Sequence, residues 1–497
     1  MAAPLDDASA SGKPRGSALV GAGSRAIRNT ALLIVARVIS RVLALVVLIV
    51  MNRALLASQF GQYATVVSIS GFVTVIMDVG FNTLYQREAA RDQGQLSRYL
   101  SNLLTVRPLF AVPALAVFAV VVPLCTHGAW ELVPAGFVMM TLASFSNLLR
   151  YSLYAVQRLR PEAVAIVLES LVLLCATLVG AHTHQGPGYF LWAYALSYGF
   201  DCVYFWVVLH VMRIARLRWN WDPAFVRRWL VMSLPFALTF IITSVYFNVD
   251  QPLVNAIRGA AEGGWYASGY KVFASVLFLA QTILSVGFPV LSLMWKENDP
   301  RFRWAVERLW KGLLAAGWPV AVGCVLLAPA FRFIYNYGPS EPAFQILSAG
   351  IVFMFVTNTF IGALNAIDRQ SSFAWAAFWS MVFNLASNLV AIPLWGYIGA
   401  SWTTILTEVF LAAAGFYLLR RHLFTLRIDK LSWRILLAGL IMGAGVFPFH
   451  NLTGWLVLPV IAGAAVVYGV ALMLLRAIDR DEWRLVRSLT QRRVRAS

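Results

Sequence analysis

Residues 29–51 form an apolar run long enough to cross a bilayer, and Arg37 and Arg41 lie well inside it. A span needs about 20 mostly apolar residues, and an arginine near mid-membrane costs roughly 2.5–3.5 kcal/mol. The two arginines stand one helical turn apart, on the same face of a helix. A chain that keeps both must turn that face toward a polar interior shared by several spans. Further runs follow near 62–85, 103–124, 129–149, 163–182, 188–212, 230–256, 265–293, 311–331, 344–366, 372–394, 397–419, 434–450 and 455–475. Backbone polar groups in hydrocarbon must bond within the protein, which leaves helices as the spanning element for runs of this length. The expected fold is therefore an all-α polytopic membrane protein of about 14 transmembrane helices. Twelve is the alternative count if the last pair is accessory.

Charge tests that count. Only Arg53, Arg258 and Arg332, of 40 Lys and Arg in all, fall in loops on one side. Basic residues gather in cytoplasmic loops, so the distribution implies an even number of spans with both termini cytoplasmic. The net charge of +18 is then explained by those loops and by anionic lipid, and no nucleic-acid partner is expected. Residues 1–28 hold no short apolar stretch of the signal-peptide kind and read as a disordered cytoplasmic tail. Residues 213–229 read as a basic cytoplasmic linker and 476–497 as a basic cytoplasmic tail, both suited to the inner leaflet.

The chain also repeats itself. Asn52 followed by Gly61-Gln62-Tyr63-Ala64 recurs as Asn255 followed by Gly264-Trp265-Tyr266-Ala267 at the same spacing. Ala155-Val156-Gln157-Arg158 resembles Ala366-Ile367-Asp368-Arg369, and Gly188 and Gly399 each open the last span of a half. Six spans separate equivalent points, an even number, so the repeat is parallel, with its axis along the membrane normal. The reading is a six-helix half over 29–212, a second over 230–419, and an accessory helix pair 13–14 within 420–475. Gly439 and Gly443 in span 13 form a GxxxG of the kind that brings helices close.

Ionisable groups inside spans are functional candidates. Arg37, Arg41, Arg107 and Lys271 could share a cationic cavity, with Asp78 as a cavity partner. Arginine's planar fork suits phosphate oxygens, and low dielectric strengthens the attraction, so the expected ligand is an anion such as a diphosphate. A rival reading for Arg37 is a salt bridge to Asp78. Asp250 in span 7, Asn384 and Asn388 one turn apart in span 11, and Thr403 and Thr404 in span 12 offer oxygen ligands for a coupling Na⁺ or H⁺. Interhelical hydrogen bonding is the plainer use of the same residues. No GxxxxGK[ST] phosphate loop, zinc spacing or CxxC motif is present, so no other cofactor is expected.

The basic opening span ending in Gly61-Gln62-Tyr63, the segment LNAIDRQ at 364–370 and GYIGASWTTILTE at 396–408 resemble the Wzx-type polysaccharide flippases. These belong to the multidrug/oligosaccharidyl-lipid/polysaccharide exporter superfamily, and the resemblance covers essentially the whole chain. It implies a multi-pass protein of the bacterial inner membrane. Such a protein moves undecaprenyl-diphosphate-linked oligosaccharide to the outer leaflet for O-antigen, capsule or exopolysaccharide assembly, by alternating access. It implies that Arg37, Arg41 and Lys271 face the diphosphate, and that Asp250, Asn384 and Asn388 are similar to the sodium site of the related lipid II flippases. Implied partners are the lipid-linked oligosaccharide, membrane lipids, and polysaccharide polymerase and chain-length proteins. The alternatives are a multidrug/cation antiporter, which would favour acidic cavity residues, and a lipid II flippase. An enzyme acting on the same lipid would need a larger outer domain than these short loops supply.

Overall fold

The computed structural model describes residues 15–215, 220–427, 429–452 and 454–477. Their regular structure is helical throughout: α1 (Arg15–Ala54), α2 (Ala57–Asp78), α3 (Phe81–Arg91), α4 (Leu96–Cys125), α5 (Leu132–Ala155), α6 (Leu159–His182), α7 (Pro187–Val211), α8 (Pro223–Asn248), α9 (Asp250–Arg258), α10 (Ala260–Lys296), α11 (Phe302–Leu326), α12 (Arg332–Tyr335), α13 (Ser340–Ala349), α14 (Ile351–Ala366), α15 (Gln370–His422), α16 (Lys430–Val446) and α17 (Val457–Leu474). Leu and Val side chains such as Val42, Leu124, Val211 and Leu474 stand exposed around the bundle. An apolar exterior on this scale suits lipid, not water.

Among the described residues, thirteen helices are long and apolar enough to span a membrane. The longest, α15, has 53 residues and would reach about 80 Å if straight, against a hydrocarbon core of about 30 Å. It is two spans. Gly396, at φ 58° and ψ −141°, takes a conformation that is essentially glycine's alone. Beyond it the chain runs back, so that Asn388 faces Thr403 and Asn384 faces Thr407. The two limbs bring the crossings to fourteen, as the sequence predicts.

Several expected boundaries move. α1 starts at Arg15, where a tail was expected to residue 28. Residues 1–14 lie outside the described residues. The 213–229 linker also shortens, because α8 begins at Pro223. Asp222 caps it, accepting from the Phe225 amide at 3.0 Å and from Arg98 at 3.2 Å. The amide first and then Arg98 hold the Asp222 carboxyl below its ordinary range. Of the tail expected over 476–497, residues 478–497 lie outside the described residues. The terminal pair packs on α11: the Trp318 indole donates to Leu436 O at 2.9 Å and Tyr468 to Ala315 O at 2.9 Å. Gly439 and Gly443 of the GxxxG face Trp318 and Val322 of α11, at distances that leave no room for a side chain.

The repeated residues meet. α2 and α10 cross so closely that a Cβ on Gly61 would stand 2.0 Å from Ala260 O, and one on Gly264 1.8 Å from Ala57 O. The repeated asparagines reach across in a swapped pair. Asn52 of the first half donates to Ile334 O at 3.1 Å, and Asn255 of the second donates to Cys125 O at the end of α4. Asn336 returns a bond to Asn52 O at 3.3 Å, Tyr337 donates to Leu55 O at 2.9 Å, and Gln251 donates to Thr65 at 3.3 Å. Around this clasp a single apolar core mixes Val47, Met51 and Phe60 with Ala267 and Val272 of the other half. At the opposite end Phe225 and Trp229 of α8 pack into the buried cluster of the first half, while a separate cluster gathers residues of α10, α11, α14 and α15.

A side chain at the crossing must therefore part the halves at the clasp end. In a protein whose only cysteine is Cys125, Gly264→Val and Asn255→Ala are expected to raise the rate of Cys125 labelling by a hydrophilic maleimide several-fold. Unchanged rates in both variants, with folding intact, would show that the contact does not close this end.

Candidate functional site

Arg41 of α1 and Lys271 of α10 open into one cavity of about 250 Å³, lined also by Met51, Tyr63, Tyr194 and Tyr270. Lys271 Nζ lies 5.4 Å from the centre of the Tyr63 ring, and the Arg41 guanidinium 5.7 Å from that of Phe278. Aromatic faces stabilise the cations weakly, by about 0.5–2 kcal/mol, without neutralising them. Arg37 lies one turn along α1. It is exposed and makes a long hydrogen bond of 3.5 Å to the Tyr154 hydroxyl. Arg37, Arg41 and Lys271 form no ion pair with any described residue.

Arg107 is not with them. It is fully buried between α2, α4 and α5, where it bonds Asp78 at 2.7 Å, Asn82 at 2.6 Å, and the carbonyl and hydroxyl oxygens of Ser144. Asn82 in turn donates to Asp78 at 2.6 Å. The Val79–Gly80 break between α2 and α3 sets Asn82 one turn beyond Asp78 on the same side. Two expectations are corrected here. Arg107 does not line the cavity, because both terminal nitrogens of its guanidinium are engaged by Asp78, Asn82 and Ser144, and Asp78 is the partner of Arg107, not of the cavity or of Arg37.

The second predicted group does assemble. Asp250, buried at the start of α9, receives Asn388 at 2.7 Å and both Thr404 and Tyr266 at 3.0 Å. Asn388 also donates to Asn384 at 3.2 Å and accepts from Thr403. Every partner of this carboxylate is neutral, and the side chains around it are rich in oxygen, the ligand that hard cations take. Glu408 lies nearby, bonded by Tyr246 at 2.9 Å.

Sequence reasoning missed the tyrosines, although the repeat held the signal. Tyr63 and Tyr266 occupy the same position in the two copies. One sits over Lys271 and the other donates to Asp250. Tyr266 further stacks on Tyr270, a lining residue of the cavity, with ring centres 5.5 Å apart. The carboxylate and the cationic cavity are thus joined through one turn of α10. Also missed was Arg150, which counts in sequence as one more basic residue at a cytoplasmic helix end. It holds Glu162, Glu169 and Asp201 together in the first half. The spacing of Glu162 and Glu169, two turns on one face of α6, was the available clue.

A family profile described as "Polysaccharide biosynthesis protein" matches residues 26–295, more than half of the chain. The protein belongs to the polysaccharide biosynthesis protein family. Its fold is similar to that of the lipid II flippase MurJ in an inward closed conformation, at TM-score 0.76 and 14% identity over 90% of this chain and 99% of that one. It is similar to an inward-facing multidrug resistance MATE family transporter of the MOP superfamily at TM-score 0.62 and 14% identity, over 77% and 94% of the two chains. An uncharacterized membrane protein, MJ1068, of Methanocaldococcus jannaschii is 26% identical over 164 residues, covering 32% of this chain. The matched segment spans 29% of that relative's length. The family member described here is a multi-pass membrane protein.

Removing one partner of a fully buried ion pair costs about 3–5 kcal/mol, because the other charge is left unanswered. Asp78→Ala is therefore expected to lower unfolding stability by about that amount, and Asp78→Ala with Arg107→Leu by clearly less. Equal losses in the single and double variants, read from denaturant or thermal unfolding in detergent, would refute the pairing.

Proposed function

We propose that this protein carries undecaprenyl-diphosphate-linked oligosaccharide from the inner to the outer leaflet of the bacterial inner membrane, for assembly of a surface polysaccharide such as O-antigen, capsule or exopolysaccharide. One observation carries the reading. Arg107 and Arg150 are paired with carboxylates, whereas Arg37, Arg41 and Lys271 form no ion pair with any described residue. Unanswered cations at membrane depth are costly unless a ligand supplies the anion. A diphosphate does so while its prenyl tail stays in lipid. At 4 Å and an effective dielectric of about 20, each cation contributes about 4 kcal/mol of attraction to a unit negative charge.

The positive-inside pattern orients the bundle with the clasp end outward. Alternating access then consists of the two halves rocking between a state closed by the clasp and one in which it is parted. The oxygens of Asp250, Asn384, Asn388 and Thr404 fit a hard monovalent cation, and Na⁺ or H⁺ is the proposed coupling ion. Binding there acts on the cavity through Tyr266 and Tyr270. Polymerase and chain-length proteins are the proposed partners downstream. A multidrug antiporter would be expected to turn free carboxylates toward its cavity, and none lines this one. A lipid II flippase shares the diphosphate chemistry and is separated by phenotype.

Arg41→Ala is expected to abolish surface polysaccharide while protein abundance and growth persist. Normal polymer from a well-expressed variant would sink the cavity assignment, and arrested cell-wall synthesis would transfer the function to lipid II. In proteoliposomes, Asp250→Asn is expected to remove the cation dependence of lipid-linked substrate transport. Cation dependence equal to that of the unsubstituted protein would refute the coupling site.

A further inference from the structure

Three carboxylates and one guanidinium meet between α5, α6 and α7, beside the cavity but outside it. Arg150 Nη2 lies 2.8 Å from Glu169 Oε2 and also bonds Asp201 Oδ2, while its Nε lies 3.6 Å from Glu162 Oε1. Two carboxylate oxygens on one nitrogen must lie close to each other. Ser146 donates to Asp201 at 3.1 Å, but Asp201 Oδ1 and Glu162 Oε2 are buried with no hydrogen-bond partner, and both residues have no exposed surface. A fully ionised cluster would hold two more negative charges than positive ones. An ionised carboxylate oxygen that is buried and unpartnered is costly.

Other charged or titratable groups facing the cluster are few. Tyr198, Cys202 and Tyr204 of α7 are neutral in their ordinary forms. Asp78 and Arg107, from α2 and α4, are paired with each other. From α1 comes Arg37, linked through the Tyr154 hydroxyl, which donates to Glu162 Oε1 at 2.8 Å. Contacts between α1 and α6 hold this register: Leu33 and Ala36 pack on Ala163, and the hydroxyls of Ser40 and Ser170 lie 2.7 Å apart.

We infer that the Arg150–Glu162–Glu169–Asp201 cluster is a proton-binding site of the first half, and that its occupancy sets whether Arg37 is available to an anion in the cavity. This rests on the proposed diphosphate ligand. With the cluster deprotonated, its excess negative charge draws Arg37 toward Tyr154 and Glu162. A proton taken from cavity water onto a carboxylate oxygen, Asp201 Oδ1 and Glu162 Oε2 being the buried and unpartnered ones, reduces that pull and frees Arg37 for the diphosphate. Anion binding and proton binding are then mutually favourable, and by linkage each raises the affinity for the other. The site is distinct from Asp250, which lies in the second half and contacts no arginine in the described structure.

The test uses the full-length protein in nanodiscs with farnesyl diphosphate as probe. Affinity is expected to fall about tenfold from about pH 6 to about pH 9, a mid-range coupling. Binding is also expected to take up protons from a weakly buffered medium. In Asp201→Asn and in Glu169→Gln the pH dependence and the proton uptake should shrink toward zero, with affinity fixed near its low-pH value. Tyr154→Phe, which leaves the cluster intact, should weaken the pH dependence. A pH slope and proton uptake unchanged in both carboxylate variants would overturn the inference. So would replacement of the pH effect by a Na⁺ effect that Asp201→Asn removes. If the unsubstituted protein binds no farnesyl diphosphate at any pH, the diphosphate reading fails, a different result from either of these.

Discussion

A charge within the hydrocarbon layer has to be answered from inside the protein, and the bundle is arranged around how each is answered. Arg107 of α4 is enclosed by Asp78, Asn82 and Ser144, a set drawn from α2, α3 and α5, so it fixes how these four helices sit together. Arg150 does the same for α5, α6 and α7 with three carboxylates. These two networks tie the helices of the first half into one body. Arg41 and Lys271 remain, lining the cavity between α1 and α10, with Arg37 one turn along α1 beside Tyr154. The incomplete charge of the fold thus lies where a ligand can complete it.

The junction is held differently. Beside the Gly61–Gly264 crossing, the shared apolar core and a bond from Arg53 to Phe333 O, the clasp holds hydrogen bonds from Asn52, Gln251, Asn255, Asn336 and Tyr337. Interhelical hydrogen bonds in membranes average about 0.6 kcal/mol, so these five come to roughly 3 kcal/mol. Moving one elementary charge through about 100 mV yields about 2.3 kcal/mol. The two are of one magnitude, which suits a contact that opens and closes in a working cycle. The buried Arg107 pair, whose disruption costs more than this, suits a body that moves without deforming.

Much of this was legible in the chain. Apolar run length gave the spans, including the two limbs of α15, and the paired Asn-to-Tyr motifs marked the positions where the halves meet. Arg41 with Lys271, and Asp250 with Asn388 and Thr404, came together as their types and depths suggested. Arg107 did not follow them, since its side chain points to Asp78 and not to the cavity. Depth along a helix is readable from sequence, but azimuth relative to neighbouring helices is not. Arg150 escaped notice for a related reason: near a basic helix end, a buried arginine and a loop arginine look alike until the carboxylates of α6 and α7 are placed beside it.

The sequence by itself therefore determined that the protein is a helical membrane bundle, how many times it crosses, that it is built twice on one plan, and which residue types stand at membrane depth. The repeat follows from motifs that recur in order, and the other properties from solvation, which acts on each segment separately. Only the tertiary structure decided which of those charges are spent on one another and which stay open, that the repeated glycines and asparagines clasp the opposite half, and that Tyr266 and Tyr270 join the buried carboxylate to the cavity. Those depend on the rotation and crossing of helices far apart in the chain, set by packing among all of them at once.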